Sequence, residues 1–191
     1  MKQKVAIDRK KTPKGSHGST SASGHPINEV VAMILAQVGE FQYGPAPKDS
    51  INREWRPERE MENGAEYEGE WNIDKNMRDG RGLQIWPDGS RYEGYWKNDK
   101  AHGNGRLIHP NGDLYIGSWR NDKAEGDGVY VDIEGTRYEG EWFDDQKHGF
   151  GIEVWSNGDR YEGYYKHGKK HGKGTMKWAN DSSYTGDFEY N

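Results

Sequence analysis

Aromatic residues and glycines alternate with polar residues over the last two thirds of the chain. In the stretch YEGYW, a tyrosine, a glycine and a tryptophan fall at every second position. Side chains of a β-strand alternate between its two faces, so the pattern predicts a strand with Tyr92, Gly94 and Trp96 on one face. A Gly-x-Gly follows at Gly103 and Gly105. Such glycines relax a second strand or let another group approach its backbone closely.

The same pattern, Tyr-x-Gly-x-aromatic, occurs six times. Its tyrosines are separated by 25 residues at the first step and by 23 at every later step. A fixed period of this length predicts an array of stacked repeats, here five full repeats and a sixth half repeat over residues 62–191. The glycines inside the pattern, expected to be structural, are Gly69, Gly94, Gly117, Gly140, Gly163 and Gly186.

Turn-forming pairs separate the expected strands. Asp88-Gly89 and its equivalents suit tight hairpin turns, which need positive φ at both central residues. Asn98-Asp99 and its equivalents turn the chain at the other end of each hairpin. No residues are left for long crossovers. The expected fold is therefore all-β, an elongated, single-layer, twisted antiparallel sheet of about eleven short strands stacked as hairpin repeats.

Equivalent aromatic residues in adjacent repeats would lie two strands apart, at about 10 Å. They would form a ladder along the array. One interpretation makes the ladder the core of a thin sheet that is poor in aliphatic residues. The other makes it a groove that binds a peptide or a helix of a partner. The ladder residues are Tyr92, Trp96, Tyr115, Trp119, Tyr138, Trp142, Tyr161 and Tyr165.

Residues 25–41 contain an amphipathic pattern of a different period. Asn28 suits the N-cap of a helix and Gly39 its end. A helix of about eleven residues is marginal alone, so it either covers the first repeat or docks on another protein or another copy. The residues on its apolar face are Ile27, Val30, Val31, Ile34, Leu35 and Val38.

The remaining segments complete the domain assignment. Residues 1–24 read as a disordered basic tail, and residues 42–61 as an extended connector with Trp55 as an anchor. The last strand is expected to expose Tyr184, Phe188 and Tyr190 at an unpaired edge. Such an edge favours pairing with a partner strand or with a second copy in a homodimer, which light scattering would reveal.

Charge and composition narrow the function further. The net charge of −5 divides into an excess of three positive charges over residues 1–61 and of eight negative charges over residues 62–191. An acidic array is a poor ligand for anionic lipid headgroups, so little or no direct lipid binding is expected. The chain has no cysteine, which excludes thiol chemistry and fits a cytoplasmic protein. No catalytic motif is present, and neither a cofactor, a metal nor a nucleic-acid partner is expected.

The repeated unit consists of Tyr-Glu-Gly-x-Trp, a polar loop, His-Gly-x-Gly and Asp-Gly. At its fixed period, this unit resembles the MORN (membrane occupation and recognition nexus) repeat over residues 67–188. The resemblance implies a groove-like scaffold. Arrays of this family occur in ciliary radial spokes, in cytoskeletal organisers, at membrane junctions and beside catalytic domains in plant phosphoinositide kinases.

The expected function is a non-enzymatic scaffold that binds protein partners through its aromatic groove and its helix. By family analogy its setting is a ciliary, axonemal or cortical cytoskeletal assembly. A membrane tether for acidic phospholipids and a regulatory array of an enzyme stay open as alternatives.

Overall fold

A computed structural model describes residues 28–45 and 49–190. It contains twelve antiparallel strands in one sheet, and the spatial order of the strands follows the chain. The all-β, single-layer prediction is confirmed, with one strand more than expected. The predicted basic tail and Ile27 lie outside the described residues. The elements are α1 (Glu29–Val38), β1 (Arg53–Glu60), β2 (Glu66–Asn72), β3 (Met77–Ile85), β4 (Arg91–Lys97), β5 (Lys100–Ile108), β6 (Leu114–Arg120), β7 (Lys123–Val131), β8 (Arg137–Phe143), β9 (Gln146–Val154), β10 (Arg160–Lys166), β11 (Lys169–Lys177) and β12 (Ser183–Glu189).

The additional strand, β1, lies in the segment that was predicted as a connector. It pairs with β2, and its register breaks between Arg56 and Arg59, beside Pro57. Proline is tolerated in a strand at an edge or a bulge. The proline and the charged residues around it also discourage pairing with a further strand. Trp55, the predicted anchor, is 56% exposed.

The prediction for the turns is wrong in one respect. Asn98 and Asp99 have φ angles of 48° and 64°, so this pair makes the tight turn with two left-handed residues. In the Asp88-Gly89 turn only Gly89 has positive φ, at 87°, and its N–H donates to the carbonyl of Trp86. The Gly-containing turns are longer, and the glycine alone needs the left-handed conformation.

The aspartates of the tight turns also join neighbouring hairpins. The Asp122 carboxylate accepts a hydrogen bond of 2.7 Å from the N–H of Ala101, and Asp145 accepts one of the same length from Ala124. An aspartate at this turn position therefore tolerates the left-handed backbone and bonds to the preceding repeat.

The sheet has two different faces. Tyr92, Trp96 and their equivalents lie on one side, the ladder face. Leu114 and Ile116 point to the other side, where α1 packs, and we name it the helix face. Because only one sheet separates the two sides, the protein has a separate apolar cluster on each.

Each full hairpin contains a β-bulge, which explains the Gly-x-Gly. Gly94 pairs with Gly105, but Trp96, two residues further, pairs with Ala101. The extra residues of β5 include Gly103, whose φ is 77°, a conformation that costs glycine little. The first glycine of the motif thus forms the bulge, and the second lies where the strands approach closely.

Candidate partner-binding surfaces

The predicted ladder residues form a continuous column of rings. The Tyr92 ring lies 5.1 Å from the Trp96 ring of its own repeat and 5.3 Å from the Trp119 ring of the next, centroid to centroid, both edge to face. Tyr92 and Trp96 are 1% and 4% exposed. They therefore have the role that the core interpretation assigns to them. The same arrangement extends along the array through Tyr115, Trp119, Tyr138, Trp142, Tyr161 and Tyr165.

A shallow depression of about 340 Å³ lies on this face beside Tyr92, Trp96 and Trp119. Its aromatic walls are already packed against each other. Partner binding by the ladder residues stays a prediction.

A line of glycines crosses strands β2 to β12 under the rings. Gly94 and Gly105 face each other in this line, and a Cβ atom added to Gly94 would lie 2.6 Å from both the Gly105 Cα and the Tyr92 hydroxyl oxygen. The ring that fills the gap is thus the tyrosine of the same repeat. The predicted structural glycines occupy this line at Gly69, Gly94, Gly117, Gly140, Gly163 and Gly186.

The tyrosine hydroxyl has a fixed partner. Tyr92 donates a hydrogen bond of 2.9 Å to the carbonyl oxygen of Tyr95, which lies opposite the bulge. Tyr138 does the same with Glu141, also at 2.9 Å. Burial raises the pKa of Tyr92 well above its ordinary value, because the ionised phenol would be poorly solvated there.

The predicted helix is present as α1. The Asn28 side chain accepts hydrogen bonds from the N–H groups of Val30 and Val31, at 2.9 and 3.2 Å, which confirms the N-cap. Val31 and Ile34 are fully buried, with Leu35 and Val38 partly buried around them, while Val30 lies at intermediate exposure.

The surface that buries α1 belongs to the same chain. Val31 and Ile34 cluster with Ile108, Leu114 and Val131 of β5 to β7. The helix therefore lies across the middle of the sheet. This position was not among those expected, since α1 neither covers the edge of the first repeat nor is left free to dock elsewhere.

The sequence carried a signal for this docking site that was missed. Three repeats read RYEG, and their arginine and glutamate point to the helix face, as Arg91 and Glu93 do. The repeat at Tyr115 reads LYIG instead. Leu114 and Ile116 replace the charged pair and supply the apolar contact to α1.

Arg106 fixes the end of α1 to the sheet. Its side chain is 2% exposed and donates to the carbonyl oxygen of Gly39 at 2.8 Å and to the Glu93 carboxylate at 2.7 Å. The Gly39 carbonyl stands at the negative end of the helix dipole, which a cation stabilises. The Phe41 ring lies 5.7 Å from the guanidinium carbon.

The segment that follows α1 crosses the helix face. It lies opposite the glycine line, between the rows of side chains that precede and follow the glycines in each strand. The Tyr43 ring lies 5.6 Å from the Tyr95 ring and 5.5 Å from the guanidinium carbon of Arg81. The Tyr95 hydroxyl donates to the carbonyl oxygen of Gly44 at 3.3 Å. Residues 41–44 thus occupy the N-terminal part of this groove, which we name the glycine trough.

Beyond Phe41 the trough is open. The opening, of about 570 Å³, runs from Phe41 to Phe150 over Ile116, Val129 and Ile152. Just past it, Tyr164 pairs with Phe150. The two rings lie 5.6 Å apart and are 42% and 51% exposed for Phe150 and Tyr164. The open part of the trough is therefore a candidate binding surface.

The predicted C-terminal edge residues have different roles. Phe188 continues the ladder, with its ring 4.9 Å from that of Tyr161. Tyr184 is 47% exposed. Tyr190 follows β12, has a φ of 54° and lies against His171. Association through this edge stays a prediction.

The described residues give no support for metal chemistry. No group of three or more histidine, aspartate or glutamate side chains among them could hold a metal ion. Burial and the nearby Lys97 lower the pKa of His102, because both disfavour its protonated form. Over the same residues, no helix has the length and apolar character needed to cross a membrane.

Comparison with known proteins identifies the repeats. The family model described as "MORN repeat" matches residues 67–91, 92–114, 115–137, 138–160 and 161–183, which together make up more than half of the chain. No curated protein gives a significant match. Among solved structures, the TCP domain of SAS-4 from Drosophila melanogaster, in complex with a proline-rich motif of Ana2, aligns over 78% of this chain and 99% of that domain. The sequence identity is 10% and the TM-score is 0.32.

Proposed function

Because the chain belongs to the MORN-repeat family, we propose that it is a non-enzymatic scaffold that binds protein partners on the helix face of its sheet. The observation that supports this is the open part of the glycine trough, which continues the groove occupied by the chain's own Phe41–Gly44 segment. The exposed rings of Phe150 and Tyr164 at its end would be covered by a partner.

The ladder face contributes to this function indirectly. Its rings are used in holding the repeats together, since Tyr92, Tyr138 and Tyr161 are at most 1% exposed. A rigid aromatic core on one side leaves the other side free to present a binding surface. Binding sites on rigid elements are held more accurately than sites on loops.

By family analogy alone, we propose a cytoplasmic setting in a cytoskeletal assembly such as a cilium or axoneme. Localisation of a tagged copy in the native cell tests this part separately. A membrane tether is less well supported, because residues 62–191 carry an excess of eight negative charges.

Site-directed photo-crosslinking tests the scaffold function. A photo-reactive amino acid replaces Tyr164, and in the control it replaces Trp55, which is comparably exposed on β1. We expect a discrete adduct with a protein partner from position 164 only, reproduced with the purified partner and reduced by excess unmodified protein. The same adducts from both positions, or none from 164, would contradict the proposal.

A further inference from the structure

The occupied part of the glycine trough shows how this protein holds a segment of chain. Arg81 and Tyr95 are paired across β3 and β4, beside the glycine pair Gly82 and Gly94. Together they hold the Tyr43 ring, at 5.5 Å from the Arg81 guanidinium and 5.6 Å from the Tyr95 ring. The segment is thus held by one guanidinium, one ring and one hydrogen bond from the Tyr95 hydroxyl to its backbone. The segment itself is neither helix nor strand.

The equivalent position three repeats further on has a ring in place of the arginine and holds no segment from the described residues. Phe150 and Tyr164 are paired across β9 and β10 beside Gly151 and Gly163, in the register of Arg81 and Tyr95. Their edge-to-face contact of 5.6 Å leaves both rings exposed. Most described aromatic residues of the array are buried or partly buried, so two exposed rings in contact with each other form an apolar patch that a partner could cover.

The repeats between these two positions offer no such ring pair. Ser118 and Glu141 stand where the other repeats have Tyr95 and Tyr164, and Asn104 and Asp127 stand opposite them. At these positions the middle of the trough therefore has small or polar side chains and no ring on which a partner could stack. A segment seated on the platform formed by Phe150 and Tyr164 would therefore be anchored by a ring at one end and meet polar groups along the trough.

The charge of the residues that line the opening determines which kind of ligand they favour. The described residues that line the opening include three carboxylates, of Asp127, Glu139 and Glu141, and no lysine or arginine. Arg137 partners Glu139 at 2.7 Å. Glu141 accepts a hydrogen bond of 2.9 Å from the N–H of Phe150, which holds its carboxylate beside the platform, and both Asp127 and Glu141 are exposed. Carboxylates beside an apolar floor of Ile116, Val129 and Ile152 favour a cationic ligand with an apolar anchor.

We propose that the Phe150–Tyr164 platform and the adjoining trough bind a non-helical, basic segment of a partner protein that inserts one aromatic side chain. The segment lies as the chain's own Phe41–Gly44 does, with its ring on the platform and its lysine or arginine side chains beside Asp127 and Glu141. This inference rests on the proposed scaffold function and specifies the partner's chemistry. Because the carboxylates are exposed, the electrostatic part of the affinity falls with salt.

Three synthetic peptides test this chemistry against the full chain. The first, KFQYGK, carries the sequence of Phe41–Gly44 between lysines. The second, EFQYGE, reverses the charge, and the third, KAQAGK, removes both rings. Affinity is measured by fluorescence anisotropy, and the binding position by amide chemical shifts. We expect the first peptide to bind at least ten-fold tighter than the other two, with shifts centred on Phe150 and Tyr164.

Variants locate the site and separate the two proposals. Tyr164→Ser should weaken KFQYGK at least ten-fold, while Phe143→Ser, which removes an equally exposed ring elsewhere, should change little. Equal binding of KFQYGK and EFQYGE, no binding at all, or shifts centred on Tyr95 would overturn the inference. If a cross-linked partner nevertheless loses affinity with Tyr164→Ser, the scaffold function stands and only the basic aromatic segment is refuted.

Discussion

The carbonyl oxygen of Gly39, at the end of α1, accepts a hydrogen bond of 2.8 Å from the buried guanidinium of Arg106, in the middle of the sheet. The two residues are 67 positions apart in the chain. The contact therefore joins the N-terminal helix to the second full repeat. We expect the Arg106 side chain to contribute strongly to the docking of α1 on the sheet.

Arg106→Ala should lower the free energy of unfolding by about 2–3 kcal/mol, because it removes two charge-assisted hydrogen bonds and leaves Glu93 without its buried partner. Thermal or denaturant unfolding measures the loss. The matched control is Arg120→Ala, whose exposed ion pair with Glu125 should contribute less than about 1 kcal/mol. Equal losses in the two variants would show that Arg106 does not fix α1.

Restoring the charged pattern at the docking site should release α1. In Leu114→Arg/Ile116→Glu the repeat reads RYEG again, and charged side chains replace the apolar contacts of Val31 and Ile34. We expect faster proteolysis and hydrogen exchange over residues 29–44, with the sheet retained, because a short helix is unstable without its partner surface. The control, Arg160→Leu/Glu162→Ile, alters a distant repeat and should leave α1 protected.

Gly140→Ala should lower the free energy of unfolding by about 3 kcal/mol, at the upper end of overpacking costs. Its added methyl would lie 2.6 Å from the Gly151 Cα and 2.6 Å from the Tyr138 hydroxyl oxygen. At Gly186 the nearest atoms all belong to the exposed Tyr184 ring, which can move away. Gly186→Ala should therefore cost less than about 1 kcal/mol. Similar melting temperatures for both variants would contradict the tight contact of ring and backbone.

Alkaline solution should unfold the array cooperatively. Burial raises the folded pKa of Tyr92, Tyr115, Tyr138 and Tyr165. The stability from keeping these phenols neutral is complete below the unfolded pKa, about 10, and is lost as the pH rises towards the folded values. Each such tyrosine lowers the free energy of unfolding by about 1.4 kcal/mol per pH unit above that pKa.

Absorbance at 295 nm and far-ultraviolet circular dichroism, recorded in one titration, check this expectation. A fraction of the tyrosines should ionise only when the sheet signal is lost. Full ionisation with the sheet signal intact would mean that the ladder tyrosines are accessible to hydroxide and are not packed as described.

Liposomes test the remaining membrane alternative. Residues 62–191 carry an excess of eight negative charges, so anionic vesicles that contain phosphoinositides should not retain the full chain through its array at about 0.15 M salt. Flotation measures the bound fraction. Because the N-terminal residues are basic, a variant with glutamines at the lysines and arginines of residues 1–14 is the control. Retention of that variant would support direct lipid binding by the array.

Local sequence patterns were enough to predict most of the fold. The period-2 alternation around Tyr92 and the 23-residue spacing were sufficient for the strands, their order and the ladder, because each strand contacts only its sequence neighbours. The turns were misassigned because Asn-Asp and Asp-Gly pairs both tolerate positive φ, and the strand register decides which turn is the tight one. β1 was missed because Pro57 and its charged neighbours do not alternate with apolar residues.

The binding surface was harder to predict, because it depends on exceptions to the repeat. Leu114 and Ile116 mark where α1 docks, and Phe150 with Tyr164 marks the exposed platform. A pattern search emphasises what the repeats share, whereas these residues differ from their equivalents. Long-range contacts such as that between Arg106 and Gly39 leave no periodic signal in the sequence.

The position of α1 makes the two ends of the array differ in their resistance to a pulling force. The helix and its cap contact the sheet from the turn at Gly89 to Val131 of β7, and so clamp several hairpins together. Strands β8 to β12 have no such clamp among the described residues, and each is held by its neighbours alone. We therefore expect a load applied at the C-terminal end to open these hairpins before those that α1 covers. The exposed platform of Phe150 and Tyr164 lies in the part that yields first, so a partner bound there would be released by tension before the clamped half is disturbed.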